Sequence, residues 1–585
     1  MNFSLKKIFT FKTLLIVGII ACLCCIIPFS KNLIVTIMEK FVLHRELRDI
    51  QKWDDILVHS MSFFALIGAF WFFFWYTAKG KIIGHNIFKT VSDAFKTEKT
   101  VKYLLIAAGI FLFAYYSLIR ANYEYADDIR RVYAGHKAWV GWSRYISETL
   151  AVFLHTNFFI NDITPITQFV AIAVLAITSY LLAFIVTEGK ITLISVIAST
   201  CAGMTPYFLA NFSYKYDCPY MAMSLLFGIL PFLFTEKRIE YIFVSIMSLL
   251  LVCTSYQAAN SIYIIMAIFT AYKMWLKGKS TKEITVYALI SIGCYIAALV
   301  FFRLFLMNQF ASSSYERGTA IGAGLNTFQL ILRNYKDYFL SVTINYGNIW
   351  IRFFTLVSVV LFVISGVLTR NNRKIWSTLL MTFIVLFAMF SLSFGAYLAL
   401  AEPLIDFRTF LGFDIIISLL SIFHVCSLAD FTKAKKISYT VAVCLVYGLV
   451  VEAVIYGNFV EKQKYYEEFR FSILAEDLSR IVDFNQKNSI YIGGWTGRTD
   501  KARMETKNYK FPGGSVSPVL TQYLIKGYNM DFEFLSECTL EELEYFPELK
   551  KQLTDLPVII DTYYHKICGK DNQYFVYLKY PMINE

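Results

Sequence analysis

The chain has 585 residues, of which 57% are hydrophobic and 17% aromatic, including 54 Phe and 39 Tyr. Too little polar surface remains to cover an apolar bulk of this size in water, so an ordinary soluble protein is excluded and a membrane is required. The formal net charge of +12 does not imply nucleic acid, because Lys and Arg are scattered over short loops and collected on no one domain.

The opening, MNFSLKKIFTFKTLLIVGIIACLCCIIPFSK, has the basic start and apolar core of a signal peptide. No small-x-small cleavage site precedes a change of composition and bulky residues continue to Phe29, so it reads as an uncleaved first span. Apolar windows long enough to cross a bilayer fall near 12–29, 60–77, 102–120, 165–187, 191–210, 219–235, 239–254, 257–275, 284–306, 350–369, 375–400, 410–429 and 437–457, about thirteen spans in all. Alternate loops carry the cations: Lys79, Lys81, Lys89, Lys96 and Lys99, then Lys190, Lys237 with Arg238, Lys273 to Lys282, Arg370 to Lys374, and Lys433 to Lys436. That bias puts the N-terminus in the cytoplasm.

With this orientation, residues 122–157, 211–218, 307–348, 402–408 and everything after about 457 lie on the outer face. Residues 30–59 and the basic amphipathic stretch KIIGHNIFKTVSDAFKTEKTVK read as interfacial. Within 307–348, the Gly- and Ser-rich first half, with Arg317, resembles a hinged cover or a passive connector, and the part from Asn326 an interfacial helix carrying Arg333. The expected spans are nearly free of ionisable groups apart from Glu452, with charge gathered on the outer side.

Two domains are expected, 1–457 in the membrane and 458–585 as a small extracytoplasmic α/β module. In the latter, NSIYIGGW reads as a strand, LTQYLIKGYN as a helix stopped at Gly527, and LPVIIDTYYHKICGKDNQYFVYLKY as two strands joined by a GKDN turn. Most of the eleven cysteines lie in apolar runs, whereas Cys538 and Cys568 sit in this polar module, where a disulfide is an open alternative. No HExxH or CxxC pattern marks a dedicated zinc site.

The chemistry gathers at residues 122–157, NYEYADDIRRVYAGHKAWVGWSRYISETLAVFLHTN, where Asp127 and Asp128 stand near Arg130, Arg131, Lys137 and Arg144 beside Trp139 and Trp142. Carboxylates accept protons and guanidinium forks hold phosphate, so this is a place for a polar reaction on a lipid-borne substrate. An enzyme facing outwards finds no nucleotide sugar there, and a polyprenyl-phosphate carrier supplies the activated group instead. The plainer readings are that Asp127 and Asp128 pair with Arg131 along a surface helix, that the tryptophans belong to an interfacial belt, and that Lys215 and Asp217 in SYKYD pair with each other.

The ordered set DDIRRVYAGHKAWVGWSRYISETL, NDITPITQF, TPYFLANFSYKYDCPYMAMSLLFGILPF and SYQAANSIYI resembles the glucosyltransferase family that decorates bacterial O-antigens and converts serotype. The resemblance covers about residues 100–270. It implies an all-α polytopic membrane protein of GT-C architecture, taking a hexose, glucose above all, from a polyprenyl-phosphate donor to a cell-envelope glycan or glycolipid acceptor, with inversion. By that likeness Asp127 and Asp128 are the catalytic pair, assigned with Asp128 as general base and Asp127 for orientation or for a divalent cation such as Mg2+ or Mn2+, the order of the two being left open. Arg130, Arg131, Arg144, Lys215, Asp217, Tyr256, Gln257 and Arg408, which has Glu402 and Asp406 as neighbours, are candidate donor phosphate or sugar contacts, with Trp139 and Trp142 as an aromatic platform. Membrane lipid, a partner flippase and a donor synthase complete the expected surroundings in a bacterial inner membrane. Where relatives have Gly-Arg-Pro after the tryptophan, this chain has Ser143-Arg144-Tyr145. A lipid-linked sugar flippase or exporter, and an O-antigen polymerase or ligase, are the competing functions.

Overall fold

The computed structural model describes residues 47–135, 137–307, 320–322, 327–483, 486, 488–494, 496–499, 533–534 and 556–579. The expected first span near 12–29, the Gly- and Ser-rich stretch with Arg317, the helix before Gly527 and Cys538 lie outside the described residues. Cys568 is a buried free thiol.

The described chain is mostly helical. α1 (Leu47–Tyr76) is followed by α2 (Ala78–Ala94), α3 (Thr100–Ala121), α4 (Asp127–Ala134), α5 (Tyr145–His155), α6 (Ile166–Thr187), α7 (Leu193–Ser199), α8 (Pro206–Ser213), α9 (Cys218–Ile229), α10 (Arg238–Ser255), α11 (Asn260–Leu276) and α12 (Thr281–Phe301). After these come α13 (Thr327–Asn345), α14 (Ile349–Leu368), α15 (Ile375–Ser391), α16 (Leu411–Ser427) and α17 (Thr432–Ile481). The starts are written locally: Thr192 with Ser195 and Ser280 with Glu283 close capping boxes, and Thr205 caps α8, with Pro206 as its first residue.

Every expected window in the described residues coincides with a helix, but the helices differ in reach. Six are long and apolar enough to cross a membrane, or up to eight if each of two bent pairs counts as one span. One pair is Ser62–Tyr76 with α2, turned by 97°; the other is Leu193–Gly203 with α8, bent by 63°. Shorter apolar helices occupy 218–234, 375–391 and 411–427. This is a membrane protein. Its spans carry more ionisable groups than Glu452 alone: Asp414 and His424 on α16 are fully buried as well.

The loops sort to two ends. At one, Asn86 donates to Glu240 (2.6 Å), Lys237 to Thr90 (2.7 Å) and Arg373 to the Lys279 carbonyl (2.9 Å), with Lys273 paired to Glu188 at 2.7 Å. Those are the loops expected inside. At the other end, residues 122–157, 214–217, 256–257 and 395–409 meet each other.

The closest packing of helices is α3 against α17. A Cβ on Gly457 would run into Ser117 Oγ and the Leu118 amide, so glycine is what lets the two backbones touch. Beyond that contact Arg120 bridges to Asn458 (2.7 Å) and Glu461 (2.8 Å), and α17 continues without a break to Ile481. The expected domain limit at 457/458 thus falls inside one helix.

The water-side part of α17 carries a small sheet in the order β2-β1-β5-β4-β3, formed by β1 (Ser489–Gly494), β2 (Glu533–Phe534), β3 (Val558–Asp561), β4 (His565–Lys570) and β5 (Gln573–Leu578). β1 runs parallel to β2 and β5, and the β3-β4-β5 meander is antiparallel. Phe471, Leu474 and Leu478 of α17 pack on Ile490, Ile567 and Val576 of the sheet. The turn between β4 and β5 has Asp571 and Asn572 both at positive φ (50° and 63°), the geometry a two-residue hairpin needs. The stretch expected as one strand before that turn is two, β3 and β4, separated by Thr562–Tyr564.

Candidate functional site

α4 and the 214–217 turn are tied together by the residues that the sequence singled out. Asp128 is fully buried, and its Oδ2 accepts the Lys215 backbone N–H at 2.9 Å. Burial, reinforced by the neighbouring Asp217 carboxylate, holds the Asp128 carboxyl well above the usual range, with Lys215 and Arg131 pulling the other way. Lys215 and Asp217 do not pair with each other. Lys215 sends Nζ to Glu124 Oε1 and Asn122 Oδ1, both at 2.9 Å. Asp217 takes Arg131 Nη2 at 3.0 Å and the indole N–H of Trp139.

Arg131 therefore reaches across 86 residues of chain instead of pairing along its own helix. Its guanidinium lies 4.3 Å from the centre of the Trp139 ring, and Tyr220 meets the same ring edge-on at 5.1 Å. Trp139 is only 1% exposed, whereas Trp142 is 41% exposed. Lys137 pairs with Glu148 at 2.9 Å. This buried lattice of charges is a frame held by paired acids and bases, although Asp128 Oδ1, Arg131 Nε and Glu148 Oε2 are buried without a hydrogen-bond partner among the described residues.

The open face of the frame is different. Asp127 is exposed, lies at the N-terminus of α4, and is within electrostatic reach of Tyr214 and Arg408. Arg408 donates Nη1 to Tyr214 Oη at 2.9 Å and lies over that ring at 5.1 Å, while its Nε is buried with no hydrogen-bond partner among the described residues. The side chain of Asp406 caps the Arg408 amide (3.3 Å), and the Arg408 carbonyl receives Tyr256 Oη at 3.1 Å and Asn211 Nδ2 at 3.1 Å. On the other side of Tyr256, Arg144 lies over the ring at 4.9 Å and donates Nε to Gln257 Oε1 at 3.0 Å. Gln257 in turn donates to the Trp142 carbonyl at 2.6 Å. Burial pushes the Tyr214 and Tyr256 phenols up, so both keep their protons.

The rim thus joins Asp127, Arg408, Tyr214, Tyr256, Arg144, Gln257 and Trp142, drawn from four separate loops. Arg130 is half-buried on the outer turn of α4. Tyr214 and Tyr397 are additions to the residues read from sequence; Tyr397 lies within electrostatic reach of both Arg144 and Arg408. Tyr214 stood inside the SYKYD block with its aromatic character as the signal, whereas Tyr397 sits at the end of an apolar run that reads as continuous membrane helix. Arg333 of α13 donates to the Ala401 carbonyl at 2.7 Å and braces the same loop. Among the described residues no group of three or more His, Cys, Asp or Glu is placed to hold a metal ion, so Asp127 has no ligand set around it.

The family described as Glucosyl transferase GtrII matches residues 116–419, more than half of the chain, and the match begins and ends around this rim. The chain belongs to the GtrII glucosyl transferase family. Every rim residue lies inside the matched range. A protein of Salmonella phage P22, described as an uncharacterized 55.3 kDa protein in the gtrB 5′ region, is 24% identical over 263 residues, 43% of this chain and 53% of the phage protein. The chain therefore spans about half the length of that curated relative. No solved structure matches it.

Proposed function

We propose that this GtrII family member is a membrane glycosyltransferase that moves a hexose, glucose above all, from a polyprenyl-phosphate donor to a cell-envelope glycan or glycolipid on the outer face of the membrane. The observation that carries the reading is the rim: an exposed carboxylate, Asp127, within electrostatic reach of Arg408, and a second arginine, Arg144, that shares Tyr256 with Arg408. Arg408 has a buried Nε with no hydrogen-bond partner among the described residues, which suits a phosphate oxygen.

In the proposed reaction an acceptor hydroxyl attacks the anomeric carbon as the bond from that carbon to the phosphate oxygen breaks. Asp127 takes the hydroxyl proton, and the leaving polyprenyl phosphate keeps the electron pair, its charge balanced by Arg408 and Arg144. A single displacement inverts the anomeric centre. Asp128 is better suited to positioning than to proton transfer, because a fully buried carboxyl bonded to the Lys215 amide meets no substrate. In this reading Asp127 is the base and Asp128 the positioning residue, one of the two orders that the sequence left open. Trp142 offers a ring to the sugar, and Gln257 sets the Arg144 fork.

The same reading includes a GT-C arrangement of about thirteen spans, a cytoplasmic N-terminus and a C-terminal module outside. Basic loops at one end and the rim at the other support that orientation. A donor synthase and a flippase would supply the substrate. Transport is the second reading, supported by Asp414 and Glu452, two buried carboxyls within the apolar helices. The test is to give the detergent-purified chain and an envelope glycan fraction either polyprenyl-phosphate [14C]glucose or UDP-[14C]glucose. Label passing to glycan from the first donor alone supports the transferase, and no transfer from either favours transport.

A further inference from the structure

The module on the far half of α17 does more than sit on the helix. Its apolar core already attaches it, yet a second, polar set of contacts pins one short stretch of backbone, residues 496–499. Arg470, 2% exposed, donates Nη1 to the Thr496 carbonyl at 2.9 Å and Nη2 to the carbonyls of Tyr564 (2.5 Å) and Lys579 (3.0 Å). Tyr466 Oη donates to the same Thr496 carbonyl at 3.0 Å. Gln463, fully buried, donates Nε2 to the Gly497 carbonyl at 2.9 Å, and its Oε1 accepts the Thr499 amide at 3.4 Å. Burying an arginine and a glutamine is unfavourable unless every group is satisfied, so this arrangement serves to fix what lies between the pinned peptides.

What lies between them is Arg498. It is half-buried, its guanidinium is 5.6 Å from the centre of the Phe459 ring, and among the described residues it forms no ion pair. Tyr456 is within its electrostatic reach and bonds Ser213 Oγ at 3.0 Å. The next residue, Tyr214, carries Arg408, and Tyr125 bridges the two places, edge-on to Tyr214 at 4.9 Å and within reach of Tyr456. Arg498 therefore stands one aromatic layer away from the rim. Phe459 lies two residues beyond Gly457, about 3 Å of helix rise, so Arg498 is held where the apolar part of α17 ends and lipid phosphates would lie.

We propose that Arg498 is a phosphate-binding residue, held beside the rim by the C-terminal module, which takes the phosphate of a lipid at the bilayer surface. The inference rests on the polyprenyl-phosphate reading of the site and deepens it. A planar fork on a fixed backbone loses little freedom on binding a phosphate, which is why arginine and not lysine suits such a place. Two lipids share this chemistry, the polyprenyl-phosphate substrate and an anionic phospholipid headgroup.

The experiment uses the full chain in neutral detergent, titrated with undecaprenyl phosphate and followed by tryptophan fluorescence, for wild type, Arg498→Ala, Arg498→Lys and Arg408→Ala. A parallel arm measures glucose transfer in phosphatidylcholine nanodiscs with and without phosphatidylglycerol. We expect Arg498→Ala to weaken undecaprenyl phosphate binding about tenfold, with partial rescue in Arg498→Lys and unchanged melting. Undiminished undecaprenyl phosphate binding, together with loss of a phosphatidylglycerol dependence present in wild type, would assign the phosphate to a headgroup and also support the proposal. Wild-type behaviour of Arg498→Ala in both arms overturns it. If Arg408→Ala also binds undecaprenyl phosphate normally, the reading of the rim falls too; if only Arg498→Ala is neutral, that reading stands and this inference alone fails.

Discussion

The Asp128 side chain accepts the backbone N–H of Lys215 at 2.9 Å, joining α4 to the 214–217 turn across 87 residues of chain. That bond turns Asp128 inward and leaves its neighbour Asp127 as the carboxylate facing the rim. The division of labour proposed for the adjacent aspartates starts from it: Asp128 builds the wall, and Asp127 is left exposed.

The wall should fail when its charges are separated. Asp217→Ala leaves Arg131 buried without its carboxylate, since the pair is 2.9 Å apart with side chains 9% and 5% exposed. Breaking such a pair from one side costs about 3–5 kcal/mol. A large fall in melting temperature in detergent is expected, and a smaller one for Lys215→Ala, because its partners Glu124 and Asn122 keep access to water.

The Asp128 carboxyl gives a pH signature. Its folded pKa is raised above the ordinary value, first by burial and next by Asp217, so the folded chain holds this proton more tightly than the unfolded chain does. The group therefore favours folding most at low pH, and its contribution declines as pH rises from the ordinary carboxylate value towards the raised one. Asn at this position still accepts the Lys215 amide but does not titrate. The melting temperature of Asp128→Asn should exceed wild type at about pH 7, and the gap should close towards about pH 4. A gap that widens on acidification would show that Asp128 is ionised in the fold.

Packing of α3 on α17 depends on residue 457. Gly457→Val places a branched side chain against Ser117 and the Leu118 backbone, where over-packing costs about 1–3 kcal/mol or more. Size-exclusion profiles and yield in detergent should show loss of folded protein, with Gly457→Ala intermediate.

Arg408→Lys keeps the charge but removes the fork that spans Tyr214 and the open Nε direction. With polyprenyl-phosphate glucose as donor, its KM should rise about tenfold, and Arg408→Ala should lower kcat as well, since the phosphate gains charge as it leaves. An unchanged KM in both variants would remove Arg408 from the donor site.

Much of this arrangement could be read from the chain, and the parts that could not share a cause. Apolar runs marked the helices, alternating cations sorted the loops into two ends, and the outer blocks named Asp127, Arg144, Gln257 and Arg408 before any of them was seen together. The partners of Arg131 and Lys215 were not legible, because a helical i,i+3 reading is local and their true partners are 86 and 91 residues away. Tyr397 was hidden inside an apolar run whose last turns are 3-10 helix, Gly395–Ala399. Asp414 and His424 passed as ordinary members of an apolar window. β3 and β4 were merged because no glycine or proline marks Thr562–Tyr564, where the Thr562 hydroxyl takes the amides of Tyr564 (3.2 Å) and His565 (3.1 Å) to make the turn.

The central claim is that Asp127, and not Asp128, receives the acceptor's proton. The direct measurement is the rate of glucose transfer from polyprenyl-phosphate glucose by purified Asp127→Asn and Asp128→Asn, each checked for a wild-type elution profile. The account predicts a loss of about 100-fold or more in Asp127→Asn, with Asp128→Asn keeping most of its activity. Transfer at the wild-type rate by Asp127→Asn would contradict it.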